Sequence, residues 1–379
     1  MASSSSGQSP RIAGRATEQG TMRYAARFQG RTASGHFRQG AGGAFFSSLG
    51  IGTYLGDPDE ATDRAYTEAV IAAVEGGINV IDTAINYRFQ RSERAIGAAL
   101  RELVSKGFAR EEVIVCTKAG FLTPDGGMPE DTSEYFSSEY IERGVLRPGD
   151  IAAGCHAMSP AYLADQLGRS LKNLGVECID IFYLHNPETQ LDEVPREEFL
   201  RRVRAAFDFL ESAVAQGKIA AYGMATWNAF REEPKTPGYL SLAEMEAIAR
   251  DAGNAEHHFR AIQLPLSLAM PEALLRANQA VQGKTMAMVQ AARALGVTLI
   301  TSASLLQGQL THKLPPYIHE ALGQKTDSGN ALQFARSVPG TTTALVGMSG
   351  VAHVRANLEV AATEPAPRDQ FLKLFQPRE

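Results

Sequence analysis

From residue 49 onward the chain repeats one unit, a short apolar and β-branched run followed by a stretch of helical periodicity. The runs fall at Leu49–Thr53, Ile78–Asp82, Val113–Lys118, Ile179–His185, Ile219–Ala225, Ala261–Pro265, Val297–Ser302 and Thr343–Gly347. Continuous apolar runs of this length suit strands covered on both faces, as in parallel sheets. Between them, Tyr66, Ala69, Val70, Ala73 and Val74 follow one helical face up to Gly76-Gly77. Leu163, Leu167, Leu171 and Leu174 follow another, from Ser159-Pro160, read as N-cap and first helical residue, to Gly175. Phe199, Val203, Phe207, Leu210 and Val214 form a third before Gly217. Steps of 36, 67, 40, 38, 39 and 45 residues separate Asp82, Lys118, His185, Ala225, Gln263, Ser302 and Gly347. Eight strand–helix units at about 40 residues each predict an α/β chain folded as a single (β/α)8 TIM barrel over residues 49–379. The one long interval holds the irregular stretch Ala119–Met158, expected to lie over the C-terminal face with segments 270–284 and 305–330.

Residues 1–48 differ. They carry Arg11, Arg15, Arg23, Arg27, Arg31 and Arg38 against the single acid Glu18, and are rich in serine and glycine. They read as a flexible tail and lead-in, with an organellar transit peptide, or a start at Met22, as the alternatives. The remaining composition excludes several classes. With 37 basic and 42 acidic residues the net charge is −5, too mild for a nucleic-acid binder. No apolar run approaches the length of a membrane span. Three separated cysteines form neither a disulfide framework nor a metal site, and suit a reducing, cytoplasmic setting. Gly50, Gly52 and Gly56 imitate a dinucleotide fingerprint, but Asp57-Pro58-Asp59 intervenes before a helix expected near Thr62.

Barrel active sites lie at the C-terminal ends of the strands. Three consecutive strands end in ionisable residues, Asp82, Lys118 and His185, and Tyr87 follows Asp82 on the loop. Charges there are costly unless paired, so Asp82 and Lys118 are expected to pair. An ammonium beside a phenol lowers its pKa, making Tyr87 a proton donor with His185 on the same substrate oxygen. The plain alternative is an ion pair closing the barrel beside a hydrogen-bonded histidine.

Several motifs together resemble the aldo-keto reductase superfamily over about residues 49–363: Leu-Gly-Ile-Gly-Thr at 49–53, Asn-Val-Ile-Asp-Thr-Ala-Ile-Asn-Tyr at 79–87, Thr117-Lys118, Tyr-Leu-His-Asn-Pro at 183–187, Gly-Lys-Ile-Ala-Ala-Tyr-Gly at 217–223, and Gly347-Met348-Ser349 with His353 and Asn357. The resemblance implies NADPH, with NADH possible, bound without a Rossmann domain, and hydride transfer to a small-molecule carbonyl. It assigns Tyr87 as general acid, Lys118 as its partner, Asp82 as the lysine's partner and His185 as the carbonyl-orienting residue. It places Gly52, Thr53, Thr226, Gln263, Ser302, Gly347, Met348, Ser349, His353 and Asn357 on the cofactor. No metal, nucleic acid or membrane is implied.

The sequence departs from the family pattern in places. Ala225-Thr226 stands where Ser-Asn is usual, and Ser302 where an aromatic residue stacks on the nicotinamide, a role left to Trp227 or Tyr54. His353 replaces an arginine and Ala356 an acid. Two other functions therefore stand beside the reductase: a Schiff-base aldolase using Lys118, and a nucleotide-binding regulatory barrel without turnover. In the long loop, His156 is read as a loop hydrogen-bonder or a substrate contact.

Overall fold

The computed structural model describes residues 10–376; the Ser3–Ser6 run lies outside them. Eight parallel strands close into a barrel: β1 (Leu49–Gly52), β2 (Val80–Asp82), β3 (Ile114–Ala119), β4 (Ile179–His185), β5 (Ile219–Ala225), β6 (Phe259–Pro265), β7 (Thr298–Ser302) and β8 (Thr341–Gly347). Each pairs with its sequence neighbours, and β8 returns to β1 through Gly347 opposite Gly52. All eight runs read from the sequence are strands, with ends shifted by two residues at most.

The main helices, one after each strand, are α1 (Glu60–Gly76), α2 (Arg91–Ser105), α3 (Pro160–Leu174), α4 (Arg196–Ala215), α5 (Leu242–Gly253), α6 (Met288–Ala294), α7 (Asp327–Ser337) and α8 (Val351–Ala361). Their apolar stripes pack on the outer face of the sheet in one continuous core. Asp59 caps α1 by accepting from the Thr62 N–H at 2.7 Å, so the glycines before it open no helix. Helix α3 begins with Pro160 and ends at Gly175 with φ 67°, but the Ser159 hydroxyl makes no capping bond. The chain reaches the cap conformation there without that side chain.

A second apolar cluster fills the barrel. Val80, Ile114, Cys116, Ile181, Tyr183, Ala225, Ala261, Ile300 and Leu345 point inward and meet Phe46. Phe46 belongs to a two-stranded hairpin, Phe37–Gln39 against Phe45–Ser47, across the N-terminal end of the barrel. Residues 10–48 thus pack against the barrel as well as leading into it. The helix Glu18–Arg27 is capped by Thr17, and its Tyr24 hydroxyl donates to the Val74 carbonyl at 2.6 Å. The Ala16 N–H donates to Asp180 Oδ1 at 2.6 Å, and Arg110 and the Val115 N–H meet the other oxygen at 2.7 Å. The apolar residues of this segment were hidden among arginine, serine and glycine, but Tyr24, Phe28 and Phe46 are buried against the barrel.

Among the described residues no helix is long and apolar enough to cross a membrane. None of their His, Cys, Asp and Glu groups is arranged to hold a metal ion.

Candidate active site

The closed sheet brings Asp82, Lys118 and His185 to one rim because each ends, or nearly ends, its strand. Lys118 Nζ lies 2.5 Å from Asp82 Oδ1, 2.7 Å from the Thr83 carbonyl and 3.4 Å from the Tyr87 hydroxyl. An ammonium has three protons, and these partners match them. Lys118 is fully buried and Asp82 nearly so. Burial pulls the Lys118 ammonium down, but Asp82 and Tyr87 outweigh it and its pKa is raised. The lysine therefore stays charged across the neutral range.

Tyr87 differs from the simple expectation. Burial pushes its phenol up, and Lys118 recovers only part of that, so its pKa is raised rather than lowered. The phenol holds its proton at neutral pH. A more basic oxygen arriving beside it could still take that proton, with Lys118 supporting the phenolate left behind.

The Tyr87 and His185 rings meet edge-on at 5.9 Å, and Tyr54 meets Tyr87 at 5.0 Å. Burial, then Lys118 and His156, pull His185 well below its ordinary pKa, so it is a neutral imidazole. Its Nδ1 is buried without a hydrogen-bond partner. Phe121 stands edge-on to both His185 at 5.1 Å and His156 at 5.3 Å.

His156 is a loop hydrogen-bonder. Its Nε2 donates to the His185 carbonyl at 2.8 Å, which leaves Nδ1 to accept from Gln190 Nε2 at 2.9 Å. In the long loop Tyr140, Leu146 and Ala157 form a small core with Tyr162 of α3, and the His156 ring ties the loop to β4.

The residues assigned to a cofactor fall in two groups. Gly52, Thr53, Thr226 and Ser302 lie at or just past strand ends on the same face as Lys118, and Gln263 lies two residues before the end of β6. Thr53 is buried and bonded to Ser92 and the Asp82 carbonyl. Gln263 Nε2 donates to Asp82 Oδ2 at 2.7 Å, so part of its amide serves the ion pair. The Thr226 hydroxyl is buried without a partner. In the second group, Gly347, Met348 and Ser349 form the turn into α8, whose N-terminus no side chain caps. Met348 is fully buried and offers only backbone, while Gly347 and Ser349 are exposed. His353 is exposed and Asn357 buried, although one helical turn apart.

Sequence reasoning passed over two neighbours of the site, Glu188 and Gln190, of which only the first carries a signal. Glu188, three residues beyond His185, accepts from the Trp227 and Asn228 N–H groups at 2.9 and 3.3 Å, and holds the loop bearing Trp227. Its place just past a strand end is the same signal that picked out His185. Gln190 has no such signal, since its role depends on a loop fold.

Residues 48–316 match the model of the aldo/keto reductase family. An NADH-specific methylglyoxal reductase of Escherichia coli is 28% identical over 53% of this chain and 54% of its own. A putative voltage-gated potassium channel subunit beta of Schizosaccharomyces pombe is 28% identical over 51% of this chain and 46% of its own. The chain thus spans about half the length of these curated relatives. Among solved structures, an aldo/keto reductase from Klebsiella pneumoniae in complex with NADP and acetate superposes with a TM-score of 0.61 at 18% identity, covering 91% of this chain and 96% of that one. The glycerol dehydrogenase of Gluconobacter oxydans gives 0.61 at 19%, covering 90% and 94%. The chain belongs to the aldo/keto reductase family.

Proposed function

We propose that this protein is an NAD(P)H-dependent reductase of small aldehydes or ketones, with Tyr87 as general acid. The observation that carries the reading is the buried array at Lys118, whose ammonium meets Asp82, the Thr83 carbonyl and the Tyr87 hydroxyl together. That array supports a proton donor beside a fixed positive charge, which suits an oxygen gaining negative charge in the transition state.

The residues fit a nicotinamide cofactor. The partnerless Thr226 hydroxyl and the remaining amide atoms of Gln263 offer hydrogen bonds to a carboxamide. The uncapped start of α8, with open space beside Gly347 and Gly350, suits a phosphate approached by backbone N–H groups. His353 and Asn357 would flank its adenosine end. Relatives bind NADP in one case and are NADH-specific in another, which supports NADPH with NADH as the second candidate. When bound, the cofactor supplies a hydride to the carbonyl carbon.

The chain's own groups do the rest. Neutral His185 hydrogen-bonds the carbonyl oxygen and orients it toward Tyr87. Tyr87 Oη gives up its proton as charge builds on that oxygen, and Lys118 stabilises the phenolate. Asp82, held by Gln263, fixes the lysine. A Schiff base on Lys118 is disfavoured, because that step needs a neutral amine and this ammonium is buried, triply bonded and raised in pKa.

The test is Tyr87→Phe, assayed with NADPH and with NADH on a carbonyl panel that includes methylglyoxal. The chemical step should slow about 10²–10⁴-fold while cofactor affinity stays within a factor of about two. Turnover near wild type would sink the assignment. A chain that binds cofactor but reduces nothing on the panel would favour the regulatory barrel.

A further inference from the structure

Immediately after Tyr87 the backbone passes through three consecutive positive φ angles, 47° at Arg88, 56° at Phe89 and 70° at Gln90. None is glycine. Residues with a Cβ avoid this region, and persist there only where their surroundings over-determine them, often beside a functional group.

The surroundings do so here. The Arg88 side chain is buried, with Nη1 2.6 Å from Asp63 Oδ1 on α1 and its guanidinium 4.9 Å from the centre of the Tyr66 ring. The other Asp63 oxygen takes Arg91 at 2.6 Å. Arg88 Nε and Nη2 are buried without partners, so the residue is placed at the expense of its own hydrogen bonding. Beyond it, the Phe89 carbonyl accepts from the Gly126 N–H at 2.9 Å. Gln90 donates to the Pro124 carbonyl at 3.4 Å and accepts from Asn173 at 3.1 Å. The turn therefore joins α1, the Tyr87 segment and the long loop over the site.

We infer that Arg88 is a positioning residue for Tyr87: anchored by Asp63 and lying on Tyr66, it holds the left-handed turn 88–90 in the conformation that aims the Tyr87 hydroxyl at Lys118. The inference rests on Tyr87 being the proton donor. It assigns a rate effect to Asp63, a half-buried residue on the outer helix layer.

The experiment uses the full chain with NADPH and methylglyoxal. Asp63→Asn keeps the shape and removes the anchoring charge. It should lower kcat about tenfold, with KM and the NADPH Kd within twofold. Arg88→Gly, which frees the turn, should lose at least as much, and Arg88→Lys should recover most of the rate. In a Tyr87→Phe background Asp63→Asn should change kcat less than twofold. Independently of turnover, the ring resonance of ¹³C-labelled Tyr87, identified as the one missing in Tyr87→Phe, should move or split in Asp63→Asn. Wild-type kcat in both Asp63→Asn and Arg88→Gly, an equal loss in the Tyr87→Phe background, or an unmoved resonance overturns the inference and leaves Tyr87 as acid intact. Full turnover in Tyr87→Phe instead fells the proton-donor reading, and this inference with it.

Discussion

Lys118 and Asp82 are opposite charges withdrawn from water, and such a pair is tolerable only while both members are present. Removing one partner leaves a buried charge unpaired, at a cost of about 3–5 kcal/mol, whereas removing both can be close to neutral. Lys118→Met should therefore lower the unfolding free energy by about that amount, because Asp82 keeps only Gln263. Adding Asp82→Asn should return most of the loss in a denaturant melt and none of the turnover. Stability and activity should separate at these positions because the pair's net benefit to folding is small, while the proposed reaction depends on its fixed charge beside Tyr87. If Lys118→Met alone melted like wild type, the lysine would be neutral in the folded protein, and the Schiff-base reading would regain ground.

At the scale of elements, the loop between β3 and α3 is fastened by a titratable pin. Burial holds His156 at about 4, against an ordinary value near 6.5. The folded chain thus binds fewer protons than the unfolded chain between these values, and the stability owed to the neutral ring is full above about 6.5 and lost as pH falls through 4. For a buried group this amounts to about 3 kcal/mol. His36, also held at about 4 by burial, acts in the same window. The melting temperature should fall as pH drops from about 6.5 to 4, and His156→Gln should flatten the fall without abolishing it; an unchanged slope would remove His156 as the pin. How far such elements could be read from sequence depends on the range of the interactions that set them. The strands were legible because a buried parallel strand must be apolar along its length, and their ionisable ends marked Asp82, Lys118 and His185. The link from Gln263 to Asp82 was not, since it spans 181 residues and exists only once the barrel closes. The left-handed turn after Tyr87 was not legible either, because Arg88, Phe89 and Gln90 carry none of the glycine that would announce it.

For the whole molecule, the two ends of the barrel have different duties. The C-terminal end carries the polar array, with its partnerless Thr226 hydroxyl and His185 Nδ1. The N-terminal end is closed by residues 10–48, a segment whose arginine, serine and glycine content reads as flexible until its few aromatic residues are followed to their places. Phe46 enters the barrel against Val80, Ile114, Ile300 and Leu345. Around it, Asn79 ties the hairpin to the barrel by accepting from the Ser47 N–H and donating to the Phe45 carbonyl, and the Arg38 guanidinium donates to the Thr341 carbonyl. Conserving these contacts matters for closing the sheet, since a barrel open at its floor would wet its inner layer of side chains. Phe46→Ala should cost about 3–5 kcal/mol, the usual loss for a buried phenylalanine whose cavity cannot collapse. The NADPH Kd should stay within twofold, because the strands carry the site at the opposite end. A denaturant melt and a cofactor titration on the same preparation check both halves. A variant with unchanged stability and weakened cofactor binding would mean that the floor communicates with the site, and that the division between a stabilising end and a reacting end does not hold in this chain.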